Sequence, residues 1–361
     1  MNGRGDGLPA QLARFYNGRR VLVTGHTGFK GAWLTRMLTL LGAEVTGYAL
    51  TPPTDPSLFT LSGLERDIRH IVGDVRDRAG LSAAFQSARP EVCFHLAAQP
   101  LVRESYRSPA YTFETNLMGT VNALDCARES GSVRSFLAVT TDKVYKNAER
   151  RTGYTERDEL GGYDPYAASK ACAELAVASY RSAFLADAGV SVSSVRAGNV
   201  IGGCDFARDR IVPDCVRAVE SGQPILVRNP SSVRPYQHVL EPLGAYLLIA
   251  CRQYENYALA DCYNIGPDES GILTTGELAT AFCEAWGDGA EWIARPDGGP
   301  HEAGLLTLNC TKVRDAFGWT PRLTAREAVR LTVAMEKARL FGGSVRAVMD
   351  AQITSYRELD R

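Results

Sequence analysis

Short apolar runs separated by longer amphipathic stretches fill the first half of the chain. Val21-Leu22-Val23, Glu44 to Leu50, Ile68 to Val75, Val92 to Ala97, Ser135 to Val139 and Val190 to Ala197 have the length and uniform hydrophobicity of strands buried on both faces. Between them, Trp33, Leu34, Met37, Leu38 and Leu41 recur at helical spacing. Leu81 to Ala88, Tyr111 to Glu129 and Ala167 to Phe184 do the same. Strand and helix in strict alternation predict an α/β fold, a doubly wound parallel sheet of the Rossmann type. From about Gly198 the alternation breaks down and Gly, Pro and Arg become dense, as in Arg228-Asn229-Pro230 and Arg234-Pro235. A smaller C-terminal substrate-binding lobe follows from this, with the chain crossing back to the sheet near Gln237 to Tyr246 and Tyr263 to Ile265. The expected division is 17–199 plus 230–270 for the dinucleotide-binding domain, and 200–229 plus 271–361 for the second domain.

The first strand runs into Gly25-His26-Thr27-Gly28-Phe29-Lys30-Gly31 and then directly into a helix. Glycines at three-residue spacing between a strand and a helix let the chain turn sharply and let a pyrophosphate approach bare backbone at the helix N-terminus. The spacing differs from Gly-x-Gly-x-x-Gly, but its place after a first strand marks a cofactor loop. No carboxylate ends the second strand, where one usually holds the ribose of NAD, and Asp55 comes late, behind two prolines. No Lys or Arg lies between Arg36 and Arg66 to neutralise a 2′-phosphate, which favours NAD over NADP. Asp74, ending the third strand, is expected either on the adenine side or as a helix cap. Lys30 is expected near the pyrophosphate or on the surface.

Composition narrows the classes. The 361 residues carry a net charge of −1, which offers no bulk attraction to nucleic acid or anionic membranes. No apolar run reaches membrane-spanning length, and Met1 to Pro9 is polar and Gly-rich, so a soluble cytoplasmic protein is expected. Nine scattered cysteines without a C-x-x-C pair point to reduced core thiols and to no metal site. Arg4-Gly5-Asp6 is read as accidental.

Two clusters carry chemistry. Tyr166-Ala167-Ala168-Ser169-Lys170 sets a phenol and an ammonium on one helical face, where a cation can draw the phenol toward its basic form. Alone, such spacing usually marks a surface helix; paired with the glycine loop it suits removal of an alcohol proton as hydride leaves. Thr140-Thr141-Asp142-Lys143-Val144-Tyr145 follows the strand ending at Val139, at the sheet edge where open α/β folds bind ligands. Thr141, Asp142 and Lys143 can offer a hydroxyl, a carboxyl and an amine to one substrate, although in isolation Asp142-Lys143 would be a solvated turn pair.

Together, the glycine loop, Asn116 in Thr115-Asn116-Leu117-Met118-Gly119-Thr120 and Tyr166-x-x-x-Lys170 resemble the extended short-chain dehydrogenase/reductases. Within them the chain is similar to the CDP-glucose 4,6-dehydratases. The stretches that carry this are Gly25 to Gly31, His95 to Arg103, Gly161 to Tyr166, Arg196 to Gly203, Arg234 to Pro242 and His301-Glu302-Ala303. The resemblance implies a lyase converting CDP-D-glucose to CDP-4-dehydro-6-deoxy-D-glucose and water, with NAD as an internal hydride carrier. Tyr166, aided by Lys170 and Thr141, would take the C4 hydroxyl proton. Lys143 would remove the C5 proton, and a protonated Asp142 would serve the departing C6 hydroxyl, so both side chains would need shifted pKa values. Cofactor contacts would come from Gly25, Thr27, Gly28, Phe29, Lys30, Gly31, Asp74, Val75, Leu96, Ala97, Ala98, Gln99, Asn116, Tyr166 and Lys170.

The nucleotide sugar would meet Gln99, Arg103, Asn199, Arg210, Arg228, Arg234 and His301, the arginines suiting a diphosphate. His238 and Glu241 would line the site or pack between lobes. The family further implies a homodimer through the helices at 111–129 and 169–184, with a homotetramer as the alternative. Lys143 together with Tyr166 separates this branch from sugar 4-epimerases, dTDP-glucose dehydratases and inverting dehydratases. Phe206 and Tyr236 stand where Trp is more usual, Cys204 where Gly is, and Gly304-Leu305 where His-Tyr is. A related dehydratase or epimerase using another nucleotide or hexose, or a non-catalytic NAD-binding regulator, are the competing readings.

Overall fold

A computed structural model describes residues 8–150, 152–296 and 304–359. Seven parallel strands form the central sheet: β1 (Arg20–Thr24), β2 (Glu44–Ala49), β3 (Arg69–Val72), β4 (Val92–His95), β5 (Ser135–Val139), β6 (Ser191–Ala197) and, much later in the chain, β10 (Cys262–Ile265). Their order is β10-β6-β5-β4-β1-β2-β3, so the strand sequence reverses between β1 and β4. Alternate residues of β1 feed two cores: Val21 and Val23 pack on one side of the sheet, Leu22 on the other. Two small sheets make up the rest, β11-β9-β7 (Ile272–Thr274, Val233–His238, Asn199–Ile201) and β12-β8 (Trp292–Ala294, Ile225–Val227).

Where strands were expected to run further, they stop early. The expected Ile68 to Val75 strand shrinks to four residues at the sheet edge, and Val92 to Ala97 ends at His95. The chain leaves the sheet there to build the ligand side. The expected return over Gln237 to Tyr246 is corrected: β9 pairs with β7 and β11, and Leu240–Glu255 is a helix that covers the sheet. Tyr263 to Ile265 does join the sheet, parallel to β6. The helix Leu8–Tyr16 was not foreseen; Leu12, Phe15 and Tyr16 are buried, and the Tyr16 hydroxyl donates to the Leu247 carbonyl at 2.9 Å. Arg4-Gly5-Asp6 lies outside the described residues.

The helix Phe29–Leu40 is buried all round from Gly31 to Leu38. Helices Leu240–Glu255 and Val345–Glu358 close over it, the latter fastened by a two-pronged pair from the Arg36 guanidinium to Asp350 at 2.6 and 2.7 Å. The 111–129 segment is one helical run interrupted by a π-turn at Glu114–Met118. The helix Pro165–Tyr180 begins on Asp164, whose carboxylate accepts the Ala167 N–H at 2.9 Å. Among the described residues no helix is long and apolar enough to cross a membrane.

The turn from β1 into its helix leaves no space for side chains. A Cβ at Gly31 would lie 2.1 Å from the Gly25 carbonyl oxygen, and one at Gly25, itself at φ +78°, would lie 2.7 Å from the Ala97 nitrogen. Backbone cannot yield as a flexible side chain can. Gly31→Ala is therefore expected to lower unfolding free energy by about 1–3 kcal/mol and to abolish dinucleotide binding, as chemical denaturation and cofactor titration would show.

Candidate active site

The carboxyl ends of β1 to β6 open into a single cleft of about 2310 Å³ that runs from the glycine loop to the C-terminal lobe. Its position outside the strand ends, beside the β1–β4 reversal, is where doubly wound sheets bind ligands.

On the cofactor side, Gly25, Thr27, Gly28, Phe29, Lys30 and Gly31 all line the cleft, as do Asp74, Val75, Leu96, Ala97 and Ala98. The three glycines divide the work. Gly25 and Gly31 are consumed by packing, whereas a Cβ at Gly28 would meet only the Gly25 oxygen at 3.5 Å. Gly28 caps the helix Phe29–Leu40 without a side-chain acceptor, leaving the first N–H groups for an anion. Thr27 donates to the Leu50 carbonyl at 2.9 Å and so ties the loop to the end of β2. Asp74 is not a helix cap: Asp77 caps the helix Arg78–Ala88, while the Asp74 carboxylate accepts from the Arg76 N–H and guanidinium. Burial opposes ionisation of Asp74, but these Arg76 bonds hold its carboxyl below the usual range. Behind the loop the His26 and His70 rings meet at 2.6 Å, an unforeseen buttress. Burial first, then His70, push the His26 imidazole down to about 3, so it is neutral.

Gln99 and Asn116 do not line the cleft. Asn116 accepts the Gln99 N–H at 2.8 Å and donates to the Gln99 carbonyl and the Ser169 hydroxyl. The Gln99 amide is spent on Leu101 and Thr112. These bonds bolt the β4 exit loop to the Tyr166 helix. Asn116 lies within the π-turn at Glu114–Met118.

On the chemical side, Thr141, Lys143, Tyr166 and Lys170 share the cleft wall. Burial pushes the Tyr166 phenol up to about 12, against a hydrogen bond with Thr141 and the nearby Arg210. Lys170 donates to the Val139 carbonyl at 3.0 Å, and burial lowers it to about 8 against the opposing pull of Glu174. Asp142 sits just behind: Oδ1 accepts from the Thr141 hydroxyl at 3.0 Å and lies 3.5 Å from Lys143 Nζ, while buried Oδ2 has no partner. Gly198 makes room for it, since a Cβ there would lie 3.0 Å from that oxygen. Lys30 is in this group, not on the outer surface. Burial, with Arg210, Lys170 and Lys143 nearby, lowers it to about 7, and Asp142 opposes.

Sequence reasoning missed what holds these segments together. Glu174, one turn beyond Lys170, accepts from Thr140 Oγ1 at 2.5 Å, Ser194 Oγ at 2.7 Å and Arg196 Nη2 at 2.7 Å. Arg196 also donates to the Tyr145 hydroxyl, which donates to Asn264 of β10. The signal available was a carboxylate four residues past Lys170 on a helix otherwise apolar there.

Asn199, Arg103, Arg210, Arg228 and Arg234 line the far half of the cleft. Three of the arginines face acids: Arg210–Asp205 at 3.7 Å, Arg228–Asp214 at 3.0 Å, and both Arg228 and Arg103 on Asp209 at 3.3 and 3.8 Å. Arg234 donates to the Val233 carbonyl. His301 lies outside the described residues. His238 and Glu241 are fully buried off the cleft: His238 packs on Trp33, and Glu241 accepts the Arg322 and Leu323 N–H groups, so packing is their place. Of the unusual positions, Cys204, Phe206 and Tyr236 line the cleft, whereas Gly304 and Leu305 do not. Among the described residues no cluster of His, Cys, Asp or Glu is arranged to hold a metal.

The family model for GDP-mannose 4,6-dehydratase matches residues 22–332. The chain is 43% identical to a CDP-glucose 4,6-dehydratase of Salmonella typhimurium over 348 residues, covering 95% of this chain and 97% of that enzyme. It is 29% identical to a dTDP-glucose 4,6-dehydratase of Streptomyces griseus, over 87% of this chain and 93% of that one. In three dimensions it is similar to the UDP-glucose 4-epimerase of Thermus thermophilus in complex with NAD, with a TM-score of 0.76, 29% identity, and coverage of 88% and 99%.

Lys30 and Lys170 titrate below the ordinary lysine value of 10.5 when folded, so between about pH 7 and 10.5 the unfolded chain binds more protons and their penalty fades as pH rises. Without cofactor, Lys30→Met is expected to be more stable than wild type. The gap should be widest below pH 7 and narrow steadily toward pH 10, as urea titrations across pH would show.

Proposed function

The chain belongs to the GDP-mannose 4,6-dehydratase family, and on that premise we propose that it is an NAD-dependent lyase that converts CDP-D-glucose to CDP-4-dehydro-6-deoxy-D-glucose and water. The observation that carries this reading is the meeting of Thr141, Lys143, Tyr166 and Lys170 on one wall, with Asp142 in contact behind. Near-full-length similarity to a CDP-glucose 4,6-dehydratase supports it. We assign 17–199 plus 230–270 to cofactor binding and 200–229 plus 271–361 to the nucleotide sugar, with the β11-β9-β7 sheet drawing strands from both.

The cleft suits NAD: the exposed helix N-terminus at Gly28 fits a pyrophosphate, and no cation on the β2 exit loop favours a 2′-phosphate. NAD held by Gly25, Gly28 and the N-terminus of the helix Phe29–Leu40 would supply a hydride acceptor for sugar C4 and, once reduced, a hydride donor for C6. Tyr166 takes the C4 hydroxyl proton. Lys170 sits one helical turn away on the same helix, and the hydrogen bond with Thr141 and the nearby Arg210 lower the cost of a phenolate at that oxygen. The C4 carbonyl acidifies C5–H, whose proton passes to Lys143. Asp142 supplies a proton to the departing C6 oxygen; its contacts with Thr141 and Lys143 connect the buried carboxyl to the cleft. Reprotonation at C5 completes a redox-neutral cycle.

Arg103, Asn199, Arg210, Arg228 and Arg234 form the nucleotide-sugar half, forked donors being matched to a diphosphate. For assembly we propose a homodimer in the cytoplasm. Met118, Leu175 and Phe184 stand 47%, 60% and 46% exposed on the two helices expected to pair, more apolar surface than an isolated helical face needs.

Incubation with NAD and each of CDP-, UDP-, dTDP- and GDP-glucose should yield the alkaline absorbance of a 4-ketosugar with CDP-glucose foremost; no product from any of them would refute the reading. Asp142→Asn is expected to cut turnover by roughly 10²–10⁴-fold while reduced nicotinamide accumulates on the enzyme, and Tyr166→Phe should prevent that accumulation as well. A preference for epimerised product would instead favour the 4-epimerase alternative.

A further inference from the structure

We propose that the Asp209 carboxylate occupies the place of the substrate's diphosphate in the cleft and competes with it, so that this one residue limits affinity for nucleoside diphosphates. The inference rests on the nucleotide-sugar reading of the site. A single oxygen, Asp209 Oδ1, is within reach of two guanidinium groups from separate segments of the chain: Arg228 Nη1 at 3.3 Å and Arg103 Nε at 3.8 Å. Arg103 belongs to the helix Val102–Arg107 beside the cofactor half, and Arg228 follows β8 in the C-terminal lobe. All three residues line the cleft. Two guanidiniums converging on one anionic oxygen form the arrangement a phosphate would seek.

Two acids meet Arg228, and they differ in kind. Asp214, on the helix Ile211–Glu220, takes Nη2 at 3.0 Å from a regular element and can hold the arginine in place whatever else binds. Asp209 sits in the loop before that helix, at φ +59°, and its side chain is 41% exposed. It takes the other nitrogen, Nη1. An incoming diphosphate brings more charge and more acceptor oxygens than one carboxylate, so it can displace Asp209, but only after breaking two ion pairs. Partly exposed pairs are individually weak, which limits the brake to a modest factor. The opposing possibility is that Asp209 preorganises the two arginines, in which case its charge would help binding.

Asp209→Asn separates the two, because asparagine tolerates the left-handed backbone as aspartate does and only the charge is lost. Calorimetric titration of the full-length protein with CDP and, separately, with cytidine is the experiment. The variant should bind CDP roughly three- to ten-fold more tightly with cytidine unchanged. Equal or weaker CDP binding overturns the inference, and so does an equal gain with cytidine. If UDP or another nucleoside diphosphate binds in place of CDP and shows the same tightening, the competition stands and the cytosine assignment falls. If no nucleoside diphosphate binds either protein, both fall.

Discussion

The buried Glu174–Arg196 pair, 2.7 Å apart with both side chains almost wholly excluded from water, is the constraint on which the chemical half of the cleft depends. Glu174 belongs to the helix that carries Tyr166 and Lys170. Its other oxygen holds Thr140, the residue immediately before Thr141, Asp142 and Lys143. Arg196, on β6, extends the network through Tyr145 to Asn264 on β10. One ion pair thus registers a helix, a loop and two strands against one another. A pair so dry adds little net stability, since desolvation offsets most of the attraction, but loss of either partner would strand a charge in the core. What it contributes is position, together with the Tyr166–Thr141 hydrogen bond and the Lys170 donation to the Val139 carbonyl.

The electrostatics of the site follow from the same crowding. Arg210, Lys170, Lys143 and the Asp142 carboxylate gather around Lys30, and burial of Lys30 and Lys170 lowers both. A lysine in the first turn of the helix Phe29–Leu40 opposes the helix dipole. Such an arrangement is costly in the protein alone and becomes favourable once phosphates enter. Excess cation near the loop therefore expresses the ligand's charge in negative image, whereas in the far half of the cleft Arg103, Arg210 and Arg228 are already faced by acids.

Packing at the glycine loop imposes the complementary constraint. Gly25 and Gly31 allow the β1 turn to lie against the β4 exit, and the paired His26 and His70 rings fill the volume behind it. Across the sheet, Asn116 fixes the β4 exit loop to the Tyr166 helix. Cofactor wall and chemical wall are in this way built onto one rigid frame of strand ends, with the C-terminal lobe's arginines set opposite.

Local information alone determined the doubly wound fold, the glycine loop and the Tyr166–Lys170 and Thr141–Lys143 clusters. Strand and helix periods and the i, i+4 relation are properties of neighbours along the chain, and all of these are readable without contacts. The same reasoning could not place Gln99 and Asn116, because an amide looks alike whether it faces a ligand or bolts two loops together. Nor could it find Glu174, Arg196 or Asp209. Glu174 lies 22 residues from its partner Arg196, and Arg103 and Asp209 come from distant segments of the chain. Tertiary structure decided those roles, since whether a charged side chain is buried, paired or left facing a cleft depends on which distant segment folds against it.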